Sequence, residues 1–395
     1  MQAWNTTAAV RYPRLARSLD VEVAIVGAGI TGLTLALQLV RAGRSVAVLD
    51  QQTVGAGATG DSTGHLTACL DASYQQLRGQ FGEGGARLAA QSSMAAIDFI
   101  ERTVTELAIT CDFVRVPGFH FCQDPATAEQ LEHEAGLTQS LGLATSFDSK
   151  TPLPLPVKGA LRFAEQAQFD APRYCQGVAL QLAGAVYGDT RVESVTDGEP
   201  CALRAAGHTV TAQTLVMATH APIGRASSLM EKLTSHVSYT MAFELRAGSF
   251  PDGLFWDTED PYHYIRRVRD QGRDLLLVGG ADQPTHGATA SEARFQQLEA
   301  YARRHFELGE VAYRGSGEYF DAVDNLPYIG RLPGASHMLV GTGYAGTGLT
   351  FGTIAGLLLA DLLLGHVNDC EDLYRPSRPA PAPVARAASA RQGRR

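Results

Sequence analysis

Long apolar runs and an N-terminal targeting segment are both missing from this sequence of 395 residues. The longest apolar segment near the C-terminus, residues 354–364, is interrupted by Gly356 and Asp361 and is shorter than a bilayer requires. The N-terminus shows no charged region followed by an apolar stretch. We therefore expect no membrane span, no signal peptide and a cytoplasmic location.

Paired cysteines are also missing. The six cysteines, at positions 69, 111, 122, 175, 201 and 370, form neither a CxxC pair nor a His-spaced metal pattern. This scatter predicts reduced, mostly buried thiols and no bound metal.

Basic residues are too few for a nucleic-acid partner. The formal net charge is −8, and residues 375–395 hold six Arg and no acid. Without those six, 27 of the 33 bases remain against 41 acids, a net charge of −14. The acidic charge of the chain before residue 375 predicts small-molecule rather than nucleic-acid binding.

What the sequence does contain is a glycine motif in a complete structural context. GAGITG at residues 27–32 follows an apolar run at 21–27 that predicts a buried parallel strand. Apolar residues at helical spacing continue to position 43, and residues 45–50 predict a returning strand. The order strand, turn, helix, strand is typical of a dinucleotide-binding unit.

Each glycine has a separate role in such a unit. Gly27 permits the tight turn, Gly29 lets the backbone approach a pyrophosphate, and Gly32 lets the helix pack closely on the strand. Asp50, eighteen residues after Gly32, stands where a carboxylate binds a ribose hydroxyl. The alternative is an ordinary carboxylate at a strand end.

A second glycine motif, GTGYAGTG at residues 341–348, precedes a long apolar helix. The pair of motifs indicates one flavin dinucleotide held from two ends of the sequence. A second nucleotide site is the alternative, but the helix is followed by neither a further strand nor an acidic partner.

The fold class predicted is α/β with an α+β second domain, in which a Rossmann-like FAD-binding domain is interleaved with an antiparallel-sheet substrate domain. We expect the FAD-binding domain to comprise residues 1–85, 146–232 and 318–374, and the substrate domain residues 86–145 and 233–317. Residues 375–395, rich in Pro, Ala and Arg, predict a disordered basic tail.

Several further segments now add up to a family resemblance. These segments are GATGDSTGHLT at 57–67, ATHAP at 218–222 and DNLPYIG at 324–330. Together with the two glycine motifs and Asp50, they resemble the D-amino-acid-oxidase superfamily of FAD enzymes, which includes glycine and sarcosine oxidases. WDTEDPYHYIR at 256–266 and AQFDAPRY at 167–174 are similar to a bacterial branch usually fused to a Rieske iron–sulfur domain. The Cys/His ligand pairs of such a domain are missing here, which excludes an internal iron–sulfur relay.

The resemblance implies an FAD site with a defined set of residues. The chain positions that match are Gly27, Gly29, Ile30, Thr31, Gly32, Asp50, Gln51, Thr59, Ser62, Thr63, His65, Leu66, Val192, Ala218, Thr219, Gly346, Thr347, Gly348, Leu349 and Thr350. The last five would present N–H groups at a helix start towards flavin N1 and the C2 carbonyl, which stabilises the anionic reduced flavin. Some relatives attach FAD covalently through a His of this loop, but the spacing around His65 differs from theirs and favours a noncovalent cofactor.

The chemistry implied is oxidation of a C–N bond. A hydride passes from the carbon beside a neutral amine to flavin N5, and water hydrolyses the imine; such a reaction needs orientation more than a strong base. The electrons then go to oxygen, giving hydrogen peroxide, or to a separate acceptor.

The substrate pocket is less well defined by the sequence. Superfamily amino-acid oxidases carry an Arg shortly before the DxxPxIG motif that binds the substrate carboxylate, and the aligned position here is Tyr319. The candidate catalytic residues are Tyr262, Tyr264, Arg266 and Tyr319. Strand alternation places the first three on one face.

Three functions of different class remain open: an FAD amine oxidase, a flavin dehydrogenase that passes electrons to a separate iron–sulfur or quinone partner, and a non-catalytic flavin-binding subunit. Oxygen reactivity separates the first two. Flavin reduction by any amine separates both from the third.

Overall fold

The computed structural model describes residues 10–182, 184–285 and 291–379. In chain order its strands are β1 (Leu19–Val26), β2 (Val46–Leu49), β3 (His65–Leu66), β4 (Val114–Cys122), β5 (Thr145–Asp148), β6 (Gly159–Gln168), β7 (Val186–Tyr187), β8 (Val192–Thr196), β9 (Cys201–Ala205), β10 (His208–Met217), β11 (Leu233–Glu244), β12 (Leu254–Asp257), β13 (His263–Asp270), β14 (Arg273–Pro284), β15 (Val311–Ala322), β16 (Tyr328–Arg331) and β17 (Met338–Thr342). Its α-helices are α1 (Ile30–Arg41), α2 (Ala58–Asp61), α3 (Tyr74–Glu106), α4 (Pro125–Ser140), α5 (Ala171–Leu180), α6 (Ser291–His305), α7 (Gly348–Leu364) and α8 (Glu371–Tyr374). Two sheets organise these elements.

The first sheet contains the predicted dinucleotide-binding unit. Its strand order is β16-β17-β10-β1-β2-β7, with the β8–β9 hairpin attached to β10. β1 pairs in parallel with β2 and with β10, and β10 pairs in parallel with β17. The second half of β1 and all of β2 are buried, as expected for apolar strands covered on both faces. The predicted strand–turn–helix–strand order is confirmed.

The second sheet is mostly antiparallel. Its order is β15-β11-β14-β13-β12-β4-β6-β3, with β5 attached to β6, and β12–β4 is a parallel pair. Helix α6 packs against β11 and β14. A sheet of this kind beside a dinucleotide-binding sheet confirms the predicted fold class.

The predicted domain boundaries do not coincide with the two sheets. Residues 146–232 were expected to join the nucleotide domain, yet β5 and β6 belong to the second sheet because β6 pairs with β4 along most of its length. The boundary expected at 317/318 lies inside β15, which pairs with β11. Pairing partners far apart in the chain, which a local composition change does not reveal, set both boundaries.

The start of the predicted disordered tail is also corrected. Residues 375–379 are described, and Arg378 is 5% exposed. Its guanidinium forms an ion pair with Asp324, at 2.6 Å from Nη2 to Oδ1 and 2.8 Å from Nε to Oδ2. The rest of the predicted tail, residues 380–395, lies outside the described residues.

One stretch of the described chain, Ala345–Leu364, is long and apolar enough to cross a membrane by length and composition, and it is longer than the apolar segment 354–364. Within it, 67% of the apolar window is buried in the protein. Helix α7, which forms most of it, packs against α1 and α3. These contacts are those of a core helix.

Candidate active site

A cavity of about 580 Å³ extends between the two sheets and receives residues from both glycine motifs. Most of the predicted cofactor residues line it; they are Gly27, Gly29, Ile30, Thr31, Asp50, Gln51, Thr59, Ser62, Thr63, His65, Val192, Ala218, Thr219, Gly346, Thr347, Gly348 and Leu349. The structure therefore brings together segments that are more than 300 residues apart in the sequence.

Three predicted cofactor residues do not line the cavity. Gly32 packs against the turn, so that an added Cβ would lie 1.9 Å from the Gly27 carbonyl oxygen. Leu66 is fully buried. Thr350 is also buried, and its hydroxyl donates to the Thr67 carbonyl at 2.8 Å. We interpret these three as packing residues behind the site.

The first glycine turn has the geometry that the motif predicts. Gly27 has φ +113°, and an added Cβ would lie 2.2 Å from the Ala218 carbonyl oxygen. Helix α1 begins with Gly29 as its N-cap residue, which supplies no side-chain cap, and the first turn of the helix carries no acidic residue. The positive end of the helix dipole is thus free of carboxylates of its own, which suits an anionic pyrophosphate.

The contacts of Asp50 are compatible with both predicted roles, a ribose ligand and an ordinary carboxylate at a strand end. Its Oδ2 accepts a hydrogen bond from the Ala28 N–H at 2.7 Å, and its Oδ1 accepts one from the Gln52 N–H at 2.8 Å. Burial raises the pKa of Asp50. Because each carboxylate oxygen has a second lone pair, Asp50 can hold the turn and still accept a ribose hydroxyl.

The second glycine motif leads into α7, where a residue that the sequence did not single out is found. The Gly346 N–H donates to Asp71 Oδ2 at 2.7 Å, and the Thr347 hydroxyl lies 3.4 Å from the same oxygen. One of the five N–H groups expected to face the flavin is therefore engaged by Asp71. Burial and the neighbouring Asp321 and Asp282 raise the pKa of Asp71 to about 7.

Three of the four predicted catalytic residues form one wall of the cavity: Tyr262, Tyr264 and Tyr319. The Tyr264 hydroxyl lies 3.0 Å from Ser238 Oγ and 3.1 Å from Thr240 Oγ1, two polar residues of β11 that the sequence analysis did not select. Trp256 lines the same part of the cavity. Aromatic walls with a few polar groups are typical of small-molecule sites.

Arg266, the fourth predicted catalytic residue, does not line the cavity. Its side chain lies behind the loop that carries Thr63, and its Nε donates to the Thr63 carbonyl at 2.5 Å. Burial lowers the pKa of Arg266 to about 10. Arg314, five residues before Tyr319, is half-exposed and pairs with Glu292 at 2.9 Å. Neither arginine is placed to bind a substrate carboxylate.

His65 lies in the cavity wall between two aromatic side chains. Its ring centroid is 5.6 Å from those of both Trp256 and Tyr264, and its Nδ1 is 2.9 Å from the Thr63 hydroxyl. Burial lowers the pKa of His65 well below its ordinary value, so the ring is neutral at physiological pH.

A group of possible metal ligands, none of which lines the cavity, lies around the turn between β12 and β13. Among the described residues, Asp257, Glu259 and His263 could together approach one ion. Asp257 is already engaged, because Oδ2 receives hydrogen bonds from the Tyr301 hydroxyl at 2.9 Å and from His263 Nδ1 at 2.8 Å. We interpret this group as a hydrogen-bonded cluster that joins β12, β13 and α6.

The fold and the cavity define a flavin-dinucleotide-binding oxidoreductase, with glycine motifs from both ends of the chain lining one cavity. Residues 22–362 match the family model described as "DAO: FAD dependent oxidoreductase", and the chain belongs to this family. The predicted family resemblance and the predicted FAD cofactor are confirmed.

Relatives and solved structures agree with this assignment. The chain is 26% identical to a putative Rieske 2Fe-2S iron–sulfur protein of Bacillus subtilis over 95% of this chain and 75% of that protein. It is 24% identical to γ-glutamylputrescine oxidoreductase of Escherichia coli over 90% of this chain and 87% of that protein. The structure of glycine oxidase from Geobacillus kaustophilus has the same fold, with a TM-score of 0.75 and 21% identity over 89% of this chain and 96% of that one.

Proposed function

We propose that this protein oxidises a C–N bond of a small-molecule amine or amino-acid-like compound, with oxygen as the final electron acceptor. The observation that carries the proposal is the cavity itself, in which the FAD-binding turns and a wall of tyrosines face the same space. Similarity to γ-glutamylputrescine oxidoreductase and to glycine oxidase, whose names state amine and amino-acid substrates, supports it.

Bound FAD would supply the hydride acceptor, and the protein would supply position. Tyr262, Tyr264 and Tyr319 would orient the amine so that its α-carbon faces the flavin, and their rings would exclude water. The amine nitrogen must be neutral when the hydride leaves, so an amine that binds as its ammonium ion first loses one proton to solvent. The product imine then takes up water and releases a carbonyl compound and ammonia or an amine, and oxygen takes two electrons and two protons to give hydrogen peroxide.

We propose further that the first sheet and its turns bind FAD noncovalently and that the second sheet supplies the substrate side. The His65 side chain supports noncovalent binding, because its Nδ1 lies beside the Thr63 hydroxyl and its ring is held between Trp256 and Tyr264. Acid precipitation of the purified protein should leave the yellow colour in the supernatant. A yellow pellet would show a covalent link. A cytoplasmic location remains our proposal as well.

A second function is a dehydrogenase that passes electrons to a separate protein. The similarity to a putative Rieske 2Fe-2S iron–sulfur protein favours it. A non-catalytic flavin-binding subunit is the third alternative.

The test is anaerobic mixing of the purified yellow protein with primary amines, secondary amines and amino acids. Bleaching of the flavin by any of them supports catalysis of C–N oxidation, and a panel without effect contradicts it. Admission of air then separates the acceptors. Rapid return of the colour with stoichiometric hydrogen peroxide indicates an oxidase, and slow return indicates a separate acceptor.

A further inference from the structure

The substrate side of the cavity is acidic, and none of the described lysines and arginines lines it. Among the described lining residues the one arginine, Arg191, is adjacent to Val192, on the side of the cavity predicted to hold the adenine. No lysine or arginine from the described ranges lines the cavity beside the tyrosines. A substrate carboxylate would find no guanidinium or ammonium partner there.

Asp71 is an acidic residue that lines the cavity beside the second glycine motif. Its carboxylate accepts a hydrogen bond from the Gly346 N–H just before α7, and the Tyr262 hydroxyl also lies close to Gly346. A Cβ added at Gly346 would be 3.0 Å from Asp71 Oδ1 and 3.2 Å from the Tyr262 oxygen. An acid from the loop between β3 and α3 and a phenol from the β12–β13 turn therefore lie together beside the second glycine motif.

Two further carboxylates lie behind the tyrosine wall. Asp282 Oδ2 accepts the Tyr319 hydroxyl at 2.8 Å, and its other oxygen is buried. Asp321 Oδ2 lies 3.2 Å from His236 Nδ1, and the His236 ring stacks on Tyr319 at 5.5 Å between centroids. The groups behind Tyr319 are therefore the carboxylates of Asp282 and Asp321 and the His236 ring, and neither an arginine nor a lysine is among them.

We propose that the substrate is an organic ammonium compound with no carboxylate on its reacting carbon, and that Asp71 is the residue that selects it. The charge of Asp71 attracts the ammonium and repels an α-carboxylate at the same place. This inference rests on the proposed function and specifies its substrate class as alkylamines rather than amino acids.

The experiment uses the FAD-loaded protein and pairs of compounds that differ by the α-carboxylate, namely benzylamine with phenylglycine and ethylamine with alanine. Anaerobic titration of the visible flavin spectrum gives the dissociation constant of each compound, whether or not it is oxidised. In the wild type we expect each amine to bind roughly tenfold or more tightly than its amino-acid partner.

The variant Asp71→Asn keeps an oxygen that can accept the Gly346 N–H and removes the charge. We expect its affinity for amines to fall roughly tenfold while its affinity for the amino acids is unchanged or rises. The control is Glu165→Gln, which removes one negative charge from an exposed position of β6 that does not line the cavity. FAD content and melting temperature, measured on each variant, show that the site is intact.

The outcomes distinguish this inference from the proposed function. Amino acids that bind as tightly as their matched amines, or an Asp71→Asn variant with unchanged discrimination, would overturn the inference, even if the flavin is reduced. Selective binding of amines without flavin reduction would support the inference and contradict C–N oxidation.

Discussion

Replacing Arg378 should destabilise the protein more than any exposed substitution in the same segment. All three nitrogens of its guanidinium are engaged: Nε and Nη2 bind the Asp324 carboxylate, and Nη1 donates to the Pro327 and Tyr374 carbonyls at 2.8 and 3.0 Å. Nη2 also donates to the Leu326 carbonyl at 2.5 Å. The group lies 4.1 Å from the Tyr328 ring centroid.

The expected magnitude follows from burial. The side chains of Arg378 and Asp324 are 4% and 2% exposed, so Arg378→Met leaves a carboxylate unpaired in the interior. Removal of one partner of a buried ion pair costs about 3–5 kcal/mol of unfolding free energy. That is a large part of the about 5–15 kcal/mol that stabilises a typical domain.

The assay is urea unfolding at a fixed FAD concentration, followed by far-UV circular dichroism, because bound cofactor shifts the apparent stability. Arg375→Ala is the matched control. Arg375 pairs with Asp372, but both side chains are exposed, at 48% and 84%, and such pairs contribute about 0–1 kcal/mol. The double variant Asp324→Asn/Arg378→Met should recover part of the loss.

Two results would refute this reasoning. Arg378→Met could lie within about 1 kcal/mol of Arg375→Ala, in which case the buried pair contributes no more than an exposed one. Alternatively, the double variant could be less stable than Arg378→Met. The effect would then not come from an unpaired Asp324 charge.

Three further predictions concern the site. Gly32→Ala places a Cβ against the carbonyl of the preceding turn, so the FAD content of the purified protein should fall below about one tenth of the wild-type value. The control is Gly136→Ala at an exposed position of α4 with nothing within 4 Å; it should keep its FAD, and its unfolding free energy should rise by about 0.5–1 kcal/mol. Equal FAD content in the two variants would contradict the packing role. Arg266→Met removes the hydrogen bond to the Thr63 carbonyl and should weaken FAD binding roughly fivefold, measured by equilibrium dialysis, without changing the substrate KM at saturating FAD. A raised KM with unchanged FAD affinity would instead indicate that Arg266 contacts the substrate. Asp71 faces the Gly346 N–H and Thr347, with Asp321 and Asp282 nearby, and its pKa of about 7 means that the carboxyl is protonated below that pH and charged above it. Benzylamine affinity should therefore rise between pH 6 and 8 in the wild type and stay flat in Asp71→Asn, whereas parallel profiles would assign the change to another group.

The parts of the fold that the sequence predicts well are those specified within a few residues. The unit from β1 to β2 was predictable because Gly27 and Gly32 mark backbone positions without room for a side chain, and apolar periodicity marks the elements around them. The placement of β6 was not, because its main partner, β4, lies about 40 residues earlier and neither strand carries a local signal of the pairing.

The site shows the same division. Residues inside the glycine motifs could be selected as candidates because backbone contact with a cofactor restricts residue type. Asp71 was missed, since it lies in an ordinary loop between β3 and α3. It reaches the site through a hydrogen bond from the Gly346 N–H, 275 positions later in the chain. Arg266 was placed on the cavity by strand alternation, which gives the face of a strand but not the loop that covers that face. Tyr262 and Tyr264 lie one alternation period apart on the same strand segment, and there the rule gave the correct face.

The position of β17 in the first sheet has a consequence for synthesis of the chain. β17 is the parallel neighbour of β10, and the second glycine motif begins within it, so the predicted cofactor site lacks this segment until residues beyond 338 have been added. At about 5–20 residues per second, the ribosome needs about 6–24 s to travel from the end of β10 to that point. During this interval the nascent chain carries a finished first glycine turn and an open edge on β10, the kind of edge that pairs with other chains. Free FAD therefore cannot protect the early chain, and a product cleaved before β17 should be colourless and prone to aggregation.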